Sequence, residues 1–120
     1  MEDILDILSG VYYLATVEGD QPHVRAFDGA CMKNGEIYIG TNSTKKVYQQ
    51  ILTNPKIEVY SMDKGILRFK AKALSVEDAE LARELYEMMG KDSSKEDLAV
   101  LRLTEITGTL TNQMGQTREF

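Results

Sequence analysis

Tryptophan is absent from this chain, cysteine and histidine occur once each, and proline occurs twice. Each shortage removes a class of function. One cysteine, Cys31, allows no internal disulfide, so a reducing compartment such as the cytoplasm is expected. One Cys and one His (His23) fall short of the three or four ligands of a usual zinc site, so no metal centre is expected. No apolar run approaches the roughly 20 residues of a membrane span. The opening MEDILDIL is acidic, and its apolar part is too short for a secretory signal. A basic excess is missing too: 14 Lys and Arg stand against 19 Asp and Glu, for a net charge of −5. That balance argues against a general nucleic-acid binder, whose surface carries a basic face, but leaves room for a local basic pocket holding a small anion.

Catalytic signatures are equally scarce. There is no Gly-x-Ser-x-Gly elbow, no Gly-x-x-x-x-Gly-Lys-Ser/Thr loop and no Gly-x-Gly-x-x-Gly after a strand. Cys31 and His23 lie eight residues apart in one extended segment, roughly 26 Å at strand rise, so they do not form a dyad. Cys31 is expected to be a small buried apolar residue.

What is present is an ordinary globular composition, 42 % hydrophobic and 28 % charged. The 120 residues fit one domain over 1–120, which buries roughly two-thirds of its unfolded surface. Glu2–Leu8 places Ile4, Leu5, Ile7 and Leu8 on one side of a short helix. VYYLATV (11–17) reads as a strand, EGDQP as a turn and HVRAFDGACMK as a second extended segment. Asn34-Gly35 marks a tight hairpin before the return strand EIYIG (36–40). Three strands joined by short turns predict an antiparallel meander. A helix after Thr41 carries Val47, Tyr48, Ile51 and Leu52 on one face and stops at Asn54-Pro55. KIEVYSM and ILRFKAKAL alternate as strands around the turn DKG. Ser75 with Asp78 resembles a capping box for a helix running to about Met89, with Val76, Ala79, Ala82, Leu85 and Met89 inward and Gly90 as its C-terminal cap. LAVLRLTEITGTLTN is one long final strand. The class is mainly β: about six antiparallel strands in a barrel or curled sheet, with helices covering its open edges.

The most informative stretch is TNSTKKVYQQ (41–50). Ser43 is a natural helix N-cap, with Asn42 beside it. Lys45 and Lys46 then fall in the first turn, at the positive end of the helix dipole, where each is unfavourable by a few tenths to ~1 kcal/mol. An anion at the helix start removes the conflict. Backbone amides, the hydroxyls of Thr41, Ser43 and Thr44, and two ammonium groups would converge on it, and a phosphate suits such a site. The alternative is a pair of solvated surface lysines. In PHVRAF, His23, Arg25 and Phe27 share one strand face. A core face would bury an unpaired charge and a solvent face would waste Phe27, so a half-polar pocket floor fits best. An edge strand with Phe27 at a subunit contact is the other reading. Arg68, Lys70 and Lys72 read as a solvated strand face, Met88 and Met89 as core, and Tyr12 and Tyr13 as strand packing.

Taken in order, YYLATVEGDQPHVRAF, NGEIYIGTNSTKKVYQQILTNPKIEVYS and GILRFKAKAL resemble the FMN-binding split-barrel family related to pyridoxamine 5'-phosphate oxidase. The resemblance covers about Val11 to Leu74. It implies a six-stranded antiparallel split barrel of Greek-key type and a homodimer with FMN in clefts between subunits. By position, Arg25 and Lys46 would hold the FMN phosphate, helped by Lys45 and the hydroxyls of Ser43 and Thr44. Ala26 and Phe27 would run along the flavin, and Thr41 would border the ribityl chain or ring. The vitamin-biosynthetic oxidases are longer and carry a C-terminal segment with Trp and Arg; this chain has no Trp, and its end offers only Arg118. FMN binding therefore carries over and pyridoxamine phosphate oxidation does not. The resemblance implies a small FMN-dependent oxidoreductase of unspecified substrate. The alternatives are a non-catalytic flavin-binding sensor or carrier, a protein akin to relatives that reduce nitroimidazoles, or a barrel holding haem or a deazaflavin. No side chain stands out as acid or base, so no catalytic residue is assigned.

Overall fold

A computed structural model describes the whole chain, Met1–Phe120. Helix α1 (Glu2–Leu8) leads into strands β1 (Val11–Glu18), β2 (Gln21–Asp28), β3 (Cys31–Lys33) and β4 (Glu36–Asn42). Helix α2 (Lys46–Thr53), strands β5 (Lys56–Ser61) and β6 (Ile66–Ser75), helix α3 (Ala79–Met88), and strands β7 (Leu98–Thr111) and β8 (Thr117–Glu119) follow. The mainly β antiparallel class holds. The strands number eight rather than six, and the two extra ones are three residues each.

Both additions have local causes. The segment HVRAFDGACMK is not one strand. Gly29, at φ 90°, turns the backbone and separates β2 from β3. The two halves go to opposite ends of the sheet, whose order is β2-β1-β5-β6-β7-β4-β3. The expected meander is therefore two separate hairpins, β1–β2 and β3–β4. The tail forms β8 by pairing Thr117–Glu119 with Thr109–Thr111 of β7. The β3–β4 turn matches its sequence signal: Asn34 and Gly35 both have positive φ, 53° and 79°, as a type I′ turn requires.

Strand β7 is the spine. It pairs with β6 along most of its length, with β4 through residues 98–103 and with β8 through 109–111. The register with β6 slips between Lys70 and Lys72, where Glu105 adopts φ 53°. This bulge bends the strand and lets one sheet curl. Because only Gly29 and Ala30 join β2 to β3, the two ends of the sheet are brought together without pairing.

The alternation read in β5 and β6 places Ile57, Val59, Leu67, Phe69, Ala71 and Ala73 in the main core, joined by Tyr12 and Leu14 of β1, with Ile4, Ile7 and Leu8 of α1 and Val47 and Ile51 of α2 packed on it. The α2 face differs from expectation at two positions. Leu52 is half exposed, and Gln50 is buried in its place, because the core-facing row of this short helix runs 47, 50, 51. Helix α3 starts later than expected. Asp78, not Ser75, caps it, accepting from the amides of Glu80 and Leu81. Ser75 instead ends β6, with its hydroxyl 2.8 Å from that of Tyr48. Ala79 is exposed, and Ala82, Leu85 and Tyr86 form the inward face. Gly90 ends the helix as read: its amide reaches Glu87 O while that of Lys91 reaches Tyr86 O, the paired closure of a Schellman motif.

Under α3 lies a second small core of Cys31, Tyr38, Ala82, Leu85, Tyr86 and Val100. Cys31 sits here as a buried apolar residue, with Sγ 3.6 Å from Leu85 O. Burial raises its thiol pKa, and only the thiolate is reactive. Ellman's reagent at pH 8 is expected to label the native protein slowly and the denatured protein at once. Equal rates would show that the α3 layer is open.

Candidate functional site

The unpaired ends of the sheet enclose a cavity of about 390 Å³. One wall is the end of β2, with Arg25, Ala26, Phe27 and Asp28; the other is the end of β4, with Gly40, Thr41 and Asn42. The start of α2 adds Lys45 and Val47, α3 adds Tyr86, the α3–β7 connection adds Lys91 and Lys95, and Val11 of β1 completes the lining. Five of the eight residues expected at the site thus meet around one cavity: Arg25, Ala26, Phe27, Thr41 and Lys45. Ser43, Thr44 and Lys46 lie outside its lining.

The reason is the way α2 begins. Ser43 does not cap it. Lys45 is the N-cap residue, with extended backbone (φ −81°, ψ 148°) and no side-chain cap; its amide donates to Asn42 O at 3.1 Å. Ser43 and Thr44 are held by the α3–β7 connection. The Ser43 amide donates to Asp97 O at 2.7 Å, and the Thr44 hydroxyl donates to the Asp97 carboxylate at 3.1 Å. Lys46 is the first helical residue and is exposed.

Arg25 is half-buried on the inner face of β2, as its face-sharing with Phe27 implied. One terminal nitrogen donates to Leu14 O (3.2 Å) and Thr16 Oγ1 (2.9 Å), and the other to Gln50 Oε1 (2.8 Å). Burial lowers its pKa, but from so high a starting value that the guanidinium keeps its charge. Phe27 packs on the core, its ring 6.0 Å from that of Tyr12, whose hydroxyl donates to Gly29 O. His23 faces Thr16 across the β1–β2 pairing. Its Nε2 lies 3.5 Å from Glu18 Oε1 and makes no hydrogen bond. It is not part of the cavity lining.

The charge at the cavity is one-sided. Four cations line it against a single carboxylate, Asp28, which is tied to Lys91 at 3.1 Å. Arg25, Lys45, Lys46 and Lys95 form no ion pair. In a chain of net charge −5, cations left uncancelled beside a concave surface create a local anion site. The larger depression, bordered by β1, β5, β6 and Glu105 of β7, behaves differently. It gathers Lys56, Lys70 and Lys72 with Glu58 and Glu105, and Lys72 pairs with Glu105 at 3.1 Å. Its Lys70 and Lys72 belong to the solvated strand face expected from the alternation. No group of three or more His, Cys, Asp and Glu could hold a metal ion.

Residues 86, 91 and 95 carried no recognisable signal; a helix end and a loop bring them in from far along the chain. Gly40 is what admits Tyr86. A Cβ there would lie 2.9 Å from the Tyr86 ring and 3.3 Å from Met89 Sδ. The Tyr86 hydroxyl donates to Thr41 O and Asn42 Oδ1 at 3.3 and 3.1 Å, fixing the β4 wall to α3. Gly40→Ala is expected to push the ring aside and to destabilise the fold by ~1–3 kcal/mol. Chemical denaturation measures this, and an unchanged midpoint would mean that the ring yields freely.

The fold and cleft define a split β-barrel with a cationic opening between the ends of its sheet. Residues 3–111 match the family model for pyridoxamine 5'-phosphate oxidase, and the chain belongs to that family. A NimC/NimA family protein from Clostridium acetobutylicum is 32 % identical, covers 100 % of this chain and 90 % of its own, and superposes with a TM-score of 0.88. An F420 reductase (17 % identity, 85 % of this chain and 90 % of its own, TM-score 0.63) shares the fold. So does the haem-storage protein HutZ of Vibrio cholerae (16 %, 96 % and 97 %, TM-score 0.70). Comparison with curated proteins gave no match. No helix is long and apolar enough to cross a membrane.

Proposed function

We propose that this protein binds FMN with its phosphate at the Arg25–Lys45 end of the cleft and acts as a small flavin-dependent oxidoreductase. The observation that carries the reading is the pair of cations, Arg25 and Lys45, that face one cavity with no carboxylate cancelling either. A phosphate dianion uses both, through charge-assisted hydrogen bonds. Lys46, the first residue of α2, is exposed and lies outside the cavity lining. Ser43 and Thr44 are committed to Asp97 and serve to hold the α2 start in place. Thr41 with Ala26 and Phe27 offers the backbone and apolar edges along which the rest of the molecule would lie, and Val47 and Tyr86 close the apolar side. When bound, FMN supplies the electron transfer; the protein supplies orientation and electrostatics.

A homodimer belongs to the same reading. Val11, Tyr13 and Val24 expose 54, 49 and 70 % of their surface on the outer side of β1 and β2, and Val11 also lines the cavity. An apolar face continuous with an open site is suited to a second copy that completes it. A cytoplasmic location accords with the one thiol being buried and unpaired.

The test is titration with FMN, followed by visible absorbance and fluorescence. Bound flavin bands and a dimer in sedimentation are expected; no spectral change would remove the reading. A non-catalytic sensor or carrier would bind FMN and accelerate no reaction. A screen with nitro compounds, quinones and B6 vitamers separates the two.

A further inference from the structure

Arg25, Thr16 and Gln50 form a closed ring of hydrogen bonds drawn from β2, β1 and α2. Arg25 donates to Thr16 Oγ1 at 2.9 Å and to Gln50 Oε1 at 2.8 Å, and Thr16 donates to Gln50 Oε1 at 2.6 Å. The directions are forced. A guanidinium only donates, so Gln50 must present its carbonyl oxygen. Thr16, having accepted from Arg25, must give its own proton to that oxygen. Thr16 and Gln50 are 1 % and 6 % exposed, so water does not substitute for either.

Two features set this ring apart from a generic buried network. Every acceptor that holds Arg25 (Leu14 O, His23 O, Thr16 Oγ1 and Gln50 Oε1) is neutral. Seven of the other basic residues are instead paired with carboxylates. In addition, the anchor sits on α2, whose N-cap residue is Lys45, so one short helix sets the positions of both cations at the cleft.

We infer that Gln50, assisted by Thr16, is a positioning residue that fixes the Arg25 guanidinium toward the cleft with a neutral anchor, keeping its full charge for a phosphate monoester. A glutamate at this place would hold Arg25 as firmly and cancel the charge; a leucine would leave the charge and release the side chain. The inference rests on the FMN-phosphate reading. It adds that selectivity for the phosphorylated ligand is set from beneath, by a residue that touches no ligand.

The experiment compares FMN and riboflavin affinities, by flavin fluorescence, for the wild type, Gln50→Glu, Gln50→Leu and Arg25→Ala, with thermal unfolding of each protein free of flavin. Gln50→Glu is expected to keep or raise the melting temperature and to lower the FMN-to-riboflavin affinity ratio about tenfold or more, the factor that corresponds to one charge-assisted contact. Gln50→Leu is expected to lower the same ratio less. A purely structural role would move both affinities together and leave the ratio alone; that result overturns the inference. So does an unchanged ratio in Gln50→Glu when Arg25→Ala lowers it. If Arg25→Ala itself leaves the ratio unchanged while FMN binds, the phosphate has been misplaced and the underlying reading fails first.

Discussion

Arg25→Ala is expected to weaken FMN by roughly 2–3 kcal/mol, about 30- to 150-fold, while riboflavin changes by less than about threefold; hydrogen bonds to charged groups fall in that range. The asymmetry follows from where the side chain lies. Its donors are engaged by Leu14, Thr16, His23 and Gln50, none of which lines the cavity, so only the part of the guanidinium left free can meet a ligand, and a charged group discriminates phosphate from hydroxyl. The substitution also leaves Thr16 and Gln50 buried and short of a donor, so a loss of stability of ~1–3 kcal/mol accompanies it. Measuring unfolding without ligand, then both ligand affinities, separates the two effects. Equal losses for FMN and riboflavin would mean that Arg25 supports the fold and not the phosphate. Lys45→Ala, exposed at the helix start, should lower FMN affinity with little effect on the apo protein.

Phe69→Ala is expected to destabilise the protein by about 3–5 kcal/mol. Phe69 is 1 % exposed at the centre of β6, opposite Val59 on β5 and Gly108 on β7. Its ring meets that of Phe120 at 6.4 Å. The neighbouring backbone cannot collapse into the void. Gly108 already approaches so closely that a Cβ on it would fall 2.1 Å from Arg68 O and 2.5 Å from the Phe69 Cβ, and the Phe120 amide and carbonyl are both bonded to Gly108 at 3.0 Å. Urea unfolding with an unchanged slope measures the loss. A change under about 1 kcal/mol would mean that the C-terminal strand repacks over the gap, as a collapsible site can.

How far the residues alone disclosed this molecule depends on the range of the interaction. Strand β6 was legible because its alternation is local and one-sided. The turn at Asn34-Gly35 was legible because few residues tolerate two positive φ angles in succession. Arg25 was legible because a cation sharing a face with Phe27 fits neither core nor solvent. By contrast, Thr117–Glu119 is polar, exposed and strand-like only through its pairing with β7. Ser43 had the right chemistry for an N-cap, but Asp97, more than fifty residues away in the chain, holds it instead. Residue type draws the inward row of α2 through Leu52 and leaves Gln50 out; the helix is turned one step from that row and buries the amide. The signal that could have found it is its spacing from Val47 and Ile51, which places a polar group on the buried side with a need for a partner. Lys91 and Lys95 reach the cavity only because Gly90 turns the chain at the end of α3, and nothing in their own neighbourhood announces it.

The central claim is that this cleft is built around a phosphate on a flavin. Parallel titration of the unmodified protein with FMN and riboflavin at low and moderate salt tests it most directly. The expected result is FMN bound at least about a hundredfold more tightly, the yield of two charge-assisted contacts, with the preference shrinking as salt screens the exposed lysine. Equal affinity for the two flavins, or binding of neither, would contradict it.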